Sequence, residues 1–147
     1  MSATWIVVAD ANRARIFEVR EEAHLSEIDD LVNPAARAKT SELRTDGVGR
    51  YFGKGERQQG HSAEPRVDPV EHENSMFAKR LSDYLEHART AQRFSTLHLI
   101  AAPKFLGLIR QNLTDSTSRL VAEQLPKGLA QLSEHDIEQY VKDKRLL

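Results

Sequence analysis

The sequence predicts an α/β domain on a five-stranded mixed sheet. Three observations predict it. Residues 5–32 read as three short strands in succession. Asp68 to Arg93 carries a capped amphipathic helix, and Leu97 to Leu113 reads as strand, tight turn, helix. A meander of short strands joined by tight turns pairs antiparallel, whereas strand–turn–helix–strand makes the crossover that a parallel pair needs. A length of 147 residues suits a single domain over 1–147, and no internal repeat is present.

Trp5-Ile6-Val7-Val8-Ala9 is a continuous apolar, largely β-branched run, the pattern of a strand buried on both faces. Asp10-Ala11-Asn12-Arg13 supplies a turn, because Asp and Asn side chains bond back to nearby backbone. Ala14 to Val19 is the returning arm of a hairpin. Arg20-Glu21-Glu22 is a solvated connection. Leu25 to Val32 is a third strand, and Glu27, Asp29 and Asp30 suit it to an edge of the sheet. Asn33-Pro34 ends it.

Asp68-Pro69-Val70-Glu71 offers a capping Asp, a Pro at the first helical position and a Glu three residues after the cap. Phe77, Leu81, Tyr84, Leu85 and Ala88 follow at helical spacing, so the helix runs from about Pro69 to Arg93. Leu97 to Ala102 is a second buried strand, stopped by Pro103. Lys104 to Leu113 is a helix with Phe105, Leu106, Leu108, Ile109 and Leu113 inward. Arg119 to Gln124 is a short strand closed by Pro126-Lys127-Gly128. Ser133 caps a last helix whose apolar face is Ile137, Tyr140 and Val141, with Lys142, Lys144 and Arg145 at the end that favours cations.

Between the meander and the first long helix lies a segment of another kind, at about 37–67. It holds Gly47, Gly49, Gly53, Gly55 and Gly60, a surplus of Arg and Lys over carboxylates, and few aliphatic residues. Such a stretch buries too little apolar surface to offset the entropy of ordering it, so it is expected to be a long, mobile, basic loop. Spaced cations with Tyr51 and Phe52 suit phosphate contacts and base stacking. The bland alternative is a solvated loop with incidental charge.

Composition narrows the function. The formal net charge is −1, so any nucleic-acid affinity must come from local clustering. There is no cysteine, which removes disulfide frameworks, thiol nucleophiles and thiolate metal sites. No secretory signal and no membrane-spanning run is visible, and the expected compartment is the cytoplasm. An exposed edge strand allows a monomer or a weak homodimer.

Catalytic signatures are weak. Asp10 ends the first strand, and Asp29, Asp30 and Glu73 are carboxylates that a two-metal nuclease would gather around it. The competing reading is a turn-shaping Asp, an acidic edge strand and a Glu that favours the helix dipole. Asp10, His72 and Glu73 form a candidate polar site. His61, His72 and His87 do not match a zinc spacing, and His98 reads as a satisfied core histidine. There is no Gly-x-Ser-x-Gly elbow, Walker lysine loop or dinucleotide turn. No cofactor and no metal is expected.

The chain resembles the bacterial family of host attachment proteins, described as proteins required for attachment to host cells. The resemblance rests on Trp5 to Asp10 with Ala14 to Phe17, on Asn33 to Arg37, on Asp46 to Phe52, on Asp68 to Glu73 with Phe77-Ala78, and on the strand ending at Pro103. That family in turn is similar to the central domain of class 1 release factors and Pelota-type rescue proteins. The resemblance implies a ribonuclease-H-like three-layer sandwich. In release factors the loop before the first long helix carries Gly-Gly-Gln. Here Gly53-Lys54-Gly55-Glu56-Arg57-Gln58-Gln59-Gly60 holds glycines and glutamines but no such tripeptide, so the catalytic role does not carry over. The expected function is a non-catalytic module that binds RNA, a ribosome or tRNA. Arg37, Arg44, Arg50, Lys54 and Arg57 would contact phosphates, Tyr51 and Phe52 would anchor, and Gln58 and Gln59 would sit at the tip. The alternatives are a protein-interaction factor needed for attachment, and a metal-dependent nuclease using Asp10.

Overall fold

The computed structural model describes residues 2–35 and 68–147. The basic loop and its candidate contacts, Arg37 through Gln59, lie outside the described residues, as does His61.

Five strands form one sheet in the order β3-β2-β1-β4-β5. They are β1 (Thr4–Ala9), β2 (Arg13–Val19), β3 (Leu25–Val32), β4 (Thr96–Ala101) and β5 (Val121–Pro126). β1 pairs antiparallel with β2, and β2 with β3, while β4 runs parallel to β1 and β5 parallel to β4. Only β2 runs against the rest, which is the ribonuclease-H-like arrangement. The first strand occupies the centre because both of its faces are apolar. Trp5, Val7 and Ala9 pack on one side, and Ile6 and Val8 on the other.

The helices are α1 (Pro69–Thr90), α2 (Pro103–Asn112), a single turn α3 (Asp115–Ser118) and α4 (Glu134–Asp143). α1 and α2 cover one face, burying Phe77, Leu81, Leu85, Phe105, Leu106 and Ile109. α4 covers the other through Ile137 and Val141. Trp5 centres the first layer, with Phe94 at 4.9 Å and the Arg93 guanidinium over its ring at 5.0 Å. Sheet and helices thus form three layers.

Several details differ from expectation. α1 stops at Thr90, three residues early, because Gln92 turns into positive φ and closes the helix. β5 begins at Val121, since Thr114 caps Asp115–Ser118 into a helical turn that removes Arg119 and Leu120 from the strand. It ends on Pro126, tolerated because β5 is an edge. The connection at Glu21–Ala23 is a short 3-10 turn with Glu22 and Ala23 at positive φ.

Candidate functional site

The carboxyl edge of the parallel strands collects the chemistry-bearing residues. Here β1 turns into β2, β3 ends, α1 begins, and β4 turns into α2. Asp10 shapes the first of these turns. One of its carboxylate oxygens accepts from the backbone N–H of Asn12 at 2.8 Å and of Arg13 at 3.0 Å. Its own N–H donates to the Arg13 carbonyl at 2.9 Å. This is the turn-shaping role.

Asn33, buried at the end of β3, fastens that strand to the same turn. Its backbone N–H donates to the Asn12 carbonyl and its side-chain amide to the Ala11 carbonyl, both at 2.9 Å. Its side-chain oxygen accepts from Ala35 at 3.0 Å. Asp68 marks where the described chain resumes. Its carboxylate accepts from the Val70 N–H at 2.9 Å and caps α1. Arg80 of α1 donates to the Val32 carbonyl at 3.1 Å and ties α1 to the end of β3. Segment 36–67 is therefore preceded by a residue fastened to this edge of the sheet, Asn33, and followed by the cap of α1, a helix tied to the end of β3 through Arg80.

Beside those ends is a cleft of roughly 420 Å³, lined by Ala11, Glu71, Asn74, Lys104, Phe105 and Gly107, with Ala102, Leu108 and Gln111 completing it. Glu71 and Asn74 line it, and His72 and Glu73 do not. The candidate trio Asp10, His72 and Glu73 thus shares an end of the molecule, but the residues that line the cleft are others. The signal was present in the spacing. Ala78, Leu81 and Leu85 continue backward at helical steps to Asn74 and Glu71.

The acidic residues proposed for a nuclease are engaged elsewhere. Asp30 pairs with Arg13 at 2.5 Å. Asp29 lies against Tyr84, whose hydroxyl is pushed up by burial and by that carboxylate. Both line a second cleft of roughly 390 Å³ between β3 and α1, with Arg80, Asp83 and His87. Among the described residues no three His, Asp or Glu side chains gather as metal ligands. His98 is buried, as expected, but its Nδ1 has no hydrogen-bond partner among the described residues. Burial holds it below the usual histidine range, against the opposing pull of Glu123.

Two further polar groups join elements. Glu86 accepts from Arg89 at 2.7 Å and from the Thr114 and Thr117 hydroxyls at 2.8 Å, linking α1 to α3. Its carboxyl is drawn down to about 2, chiefly by Arg89. Glu138 of α4 accepts from the Leu25 N–H at 2.9 Å and pairs with His24 at 3.1 Å and Lys142 at 3.3 Å. No described helix is long and apolar enough to cross a membrane.

A family profile described as "Protein required for attachment to host cells" matches residues 5–141. An uncharacterized protein of Rickettsia prowazekii (strain Madrid E) is 31% identical over 84 residues, which is 56% of each protein, so the chain spans about half the length of that curated relative. Among solved structures, an archaeal translation termination factor, aRF1, superposes with a TM-score of 0.49 at 12% identity, over 97% of this chain and 39% of that one. The Ppx/GppA phosphatase of Aquifex aeolicus superposes with a TM-score of 0.41 at 9% identity, over 85% of this chain and 36% of that one.

Proposed function

The chain belongs to the family of proteins required for attachment to host cells, and from that premise we propose that it is a non-catalytic module that binds RNA or the ribosome through its basic segment. The observation that carries this reading is where the segment is fastened. Asn33, bonded to the β1–β2 turn, and Asp68, capping the helix whose first turns border the cleft at the carboxyl edge of the sheet, bracket a stretch holding Arg37, Arg44, Arg50, Lys54 and Arg57. Open α/β sheets present ligand sites at that edge. The surrounding layers supply a fixed base, and phosphate contacts need cations rather than a built pocket. Tyr51 and Phe52 are the stacking groups in this reading, and Gln58 and Gln59 the most distant polar contacts. The partner is a ribosome or tRNA in the cytoplasm.

Co-sedimentation of the full chain with ribosomes and with tRNA across a salt series tests this. A variant carrying Arg44→Ala, Arg50→Ala, Lys54→Ala and Arg57→Ala runs beside it. If all four cations contact phosphates, the slope of log affinity against log salt becomes shallower by about three to four in the variant. Binding absent at low salt sinks the reading. It would leave a protein-interaction factor, which the family's description favours, to be sought through a partner whose binding is insensitive to salt.

A further inference from the structure

The cleft at the carboxyl edge has a feature that packing among the described residues does not explain. Gly107 sits in the interior of α2, where glycine is the least favourable residue after proline. A Cβ built there meets no described atom within 4 Å. The glycine therefore relieves no clash among the described residues. It is neither at the helix end nor at positive φ. What it does is leave bare helix backbone on the wall of the cleft. Bare backbone of this kind permits close approach of a flat group.

We propose that this cleft binds a single nucleobase, its ring against the Gly107–Leu108 wall and its polar edge on Glu71, Asn74 and Gln111. The rim selects this chemistry. Glu71 only accepts, Lys104 only donates, and the Asn74 and Gln111 amides do both. Among the described residues none of these four side chains forms a hydrogen bond or ion pair with another. Glu71, Lys104 and Gln111 are exposed and Asn74 half-buried, so a purely aliphatic ligand would displace water from them without replacing its hydrogen bonds, and an anionic one would meet Glu71. A neutral heteroaromatic ring with donors and acceptors on one edge satisfies them together. Lys104 then lies at the mouth, where the phosphate attached to a nucleoside emerges. The volume, roughly 420 Å³, falls in the range of small-molecule sites. The inference deepens the RNA reading and rests on it only for the polymer that supplies the base.

The test is a titration of the full, isotope-labelled chain with the four nucleoside 5′-monophosphates, followed by amide chemical shifts. Ribose 5-phosphate serves as the probe lacking a base. At least one base-bearing probe should move Gly107, Leu108 and Asn74 saturably, and ribose 5-phosphate should not. Gly107→Leu fills the wall and should weaken binding about tenfold or more, because protein then occupies the ring's position. Gly107→Ala keeps the fold and narrows the wall less, and Asn74→Ala should alter the preference among bases. Absence of saturable shifts overturns the proposal, as does an equal response to ribose 5-phosphate. Mononucleotide binding without ribosome co-sedimentation keeps the cleft and sinks the ribosome reading. Salt-sensitive ribosome binding with a silent cleft does the reverse.

Discussion

At the scale of single residues, the polar groups that matter most for stability are those that hold one layer on another. Glu138 is the clearest. Its carboxylate takes the Leu25 N–H at the start of β3, then His24 and Lys142, and these contacts draw it from 4.5 to about 2. A carboxyl depressed in the folded state stabilises fully above its unfolded value and loses that contribution as pH falls through the folded one. Glu138→Gln should therefore be less stable than the parent at neutral pH. The gap should narrow as pH falls from about 4.5 toward about 2. Denaturant unfolding at a series of pH values checks this, and a gap that stays constant through that window refutes it. Glu86 titrates over the same range, but it is present in both proteins, so its effect cancels in the difference. His98 acts in the opposite sense to a paired group. Its buried ring stays neutral below the ordinary histidine value, so acidification favours the unfolded chain, which takes up the proton.

At the scale of elements, the helix ends show what side-chain patterns reveal and what they leave hidden. α1 ends in a Schellman motif. Gln92 N–H donates to Arg89 and Arg93 N–H to Ala88, both at 2.9 Å, with Gln92 at φ 58°. α4 ends in the same way, with Arg145 at φ 55° and Leu146 donating to Val141 at 3.2 Å. Glycine is the residue usually found at this position, because a Cβ is penalised there. Gln92→Gly should stabilise the protein by about 0.5–1 kcal/mol, the relief of left-handed strain less the added freedom of the unfolded chain. Gln92→Ala should give no gain. Thermal unfolding of the pair decides it, and equal melting temperatures for the two variants would count against strain at this residue. A glutamine at this position carries no sequence mark of a helix end, which is why α1 read three residues too long. Its start was legible, because Asp68-Pro69 states the cap in side-chain chemistry. The turn Asp115–Ser118 was missed because it has no apolar period; only the Thr114 and Thr117 pair signalled it. In the cleft, Glu71 and Asn74 could be read from the helical stripe. The openness beside Gly107 could not, since it depends on how α2 lies against α1.

At the scale of the whole molecule, the strand order, the central place of β1 and the edge position of β3 all follow from where apolar and charged residues fall. β1 is apolar on both faces and sits in the middle, while Asp29 and Asp30 occupy an exposed rim. Both edge pairings also carry a register shift, between Ile16 and Phe17 and between Leu97 and His98. Such irregularities twist an edge away from pairing with another copy. What sequence patterns did not reveal is the connection holding the third layer on. Arg15 is 6% exposed. Its guanidinium donates to both oxygens of Glu27, at 2.8 and 3.0 Å, and to the Ala130 and Leu132 carbonyls, at 3.1 and 2.6 Å. One side chain thus ties β2 and β3 to the loop that delivers α4. Arg15→Met keeps the length and apolar stem but strands Glu27 and two carbonyls, at a cost of about 3 kcal/mol. The loss should be local. Hydrogen exchange should show α4 and residues 127–133 losing protection while α1 and α2, packed on the opposite face, keep theirs. Replacing both partners, Arg15→Met with Glu27→Leu, should recover part of the stability, because the unpaired carboxylate is then gone. Uniform loss of protection across both faces would instead show that the two layers unfold as one unit, and that the Arg15 clamp is not what separates them.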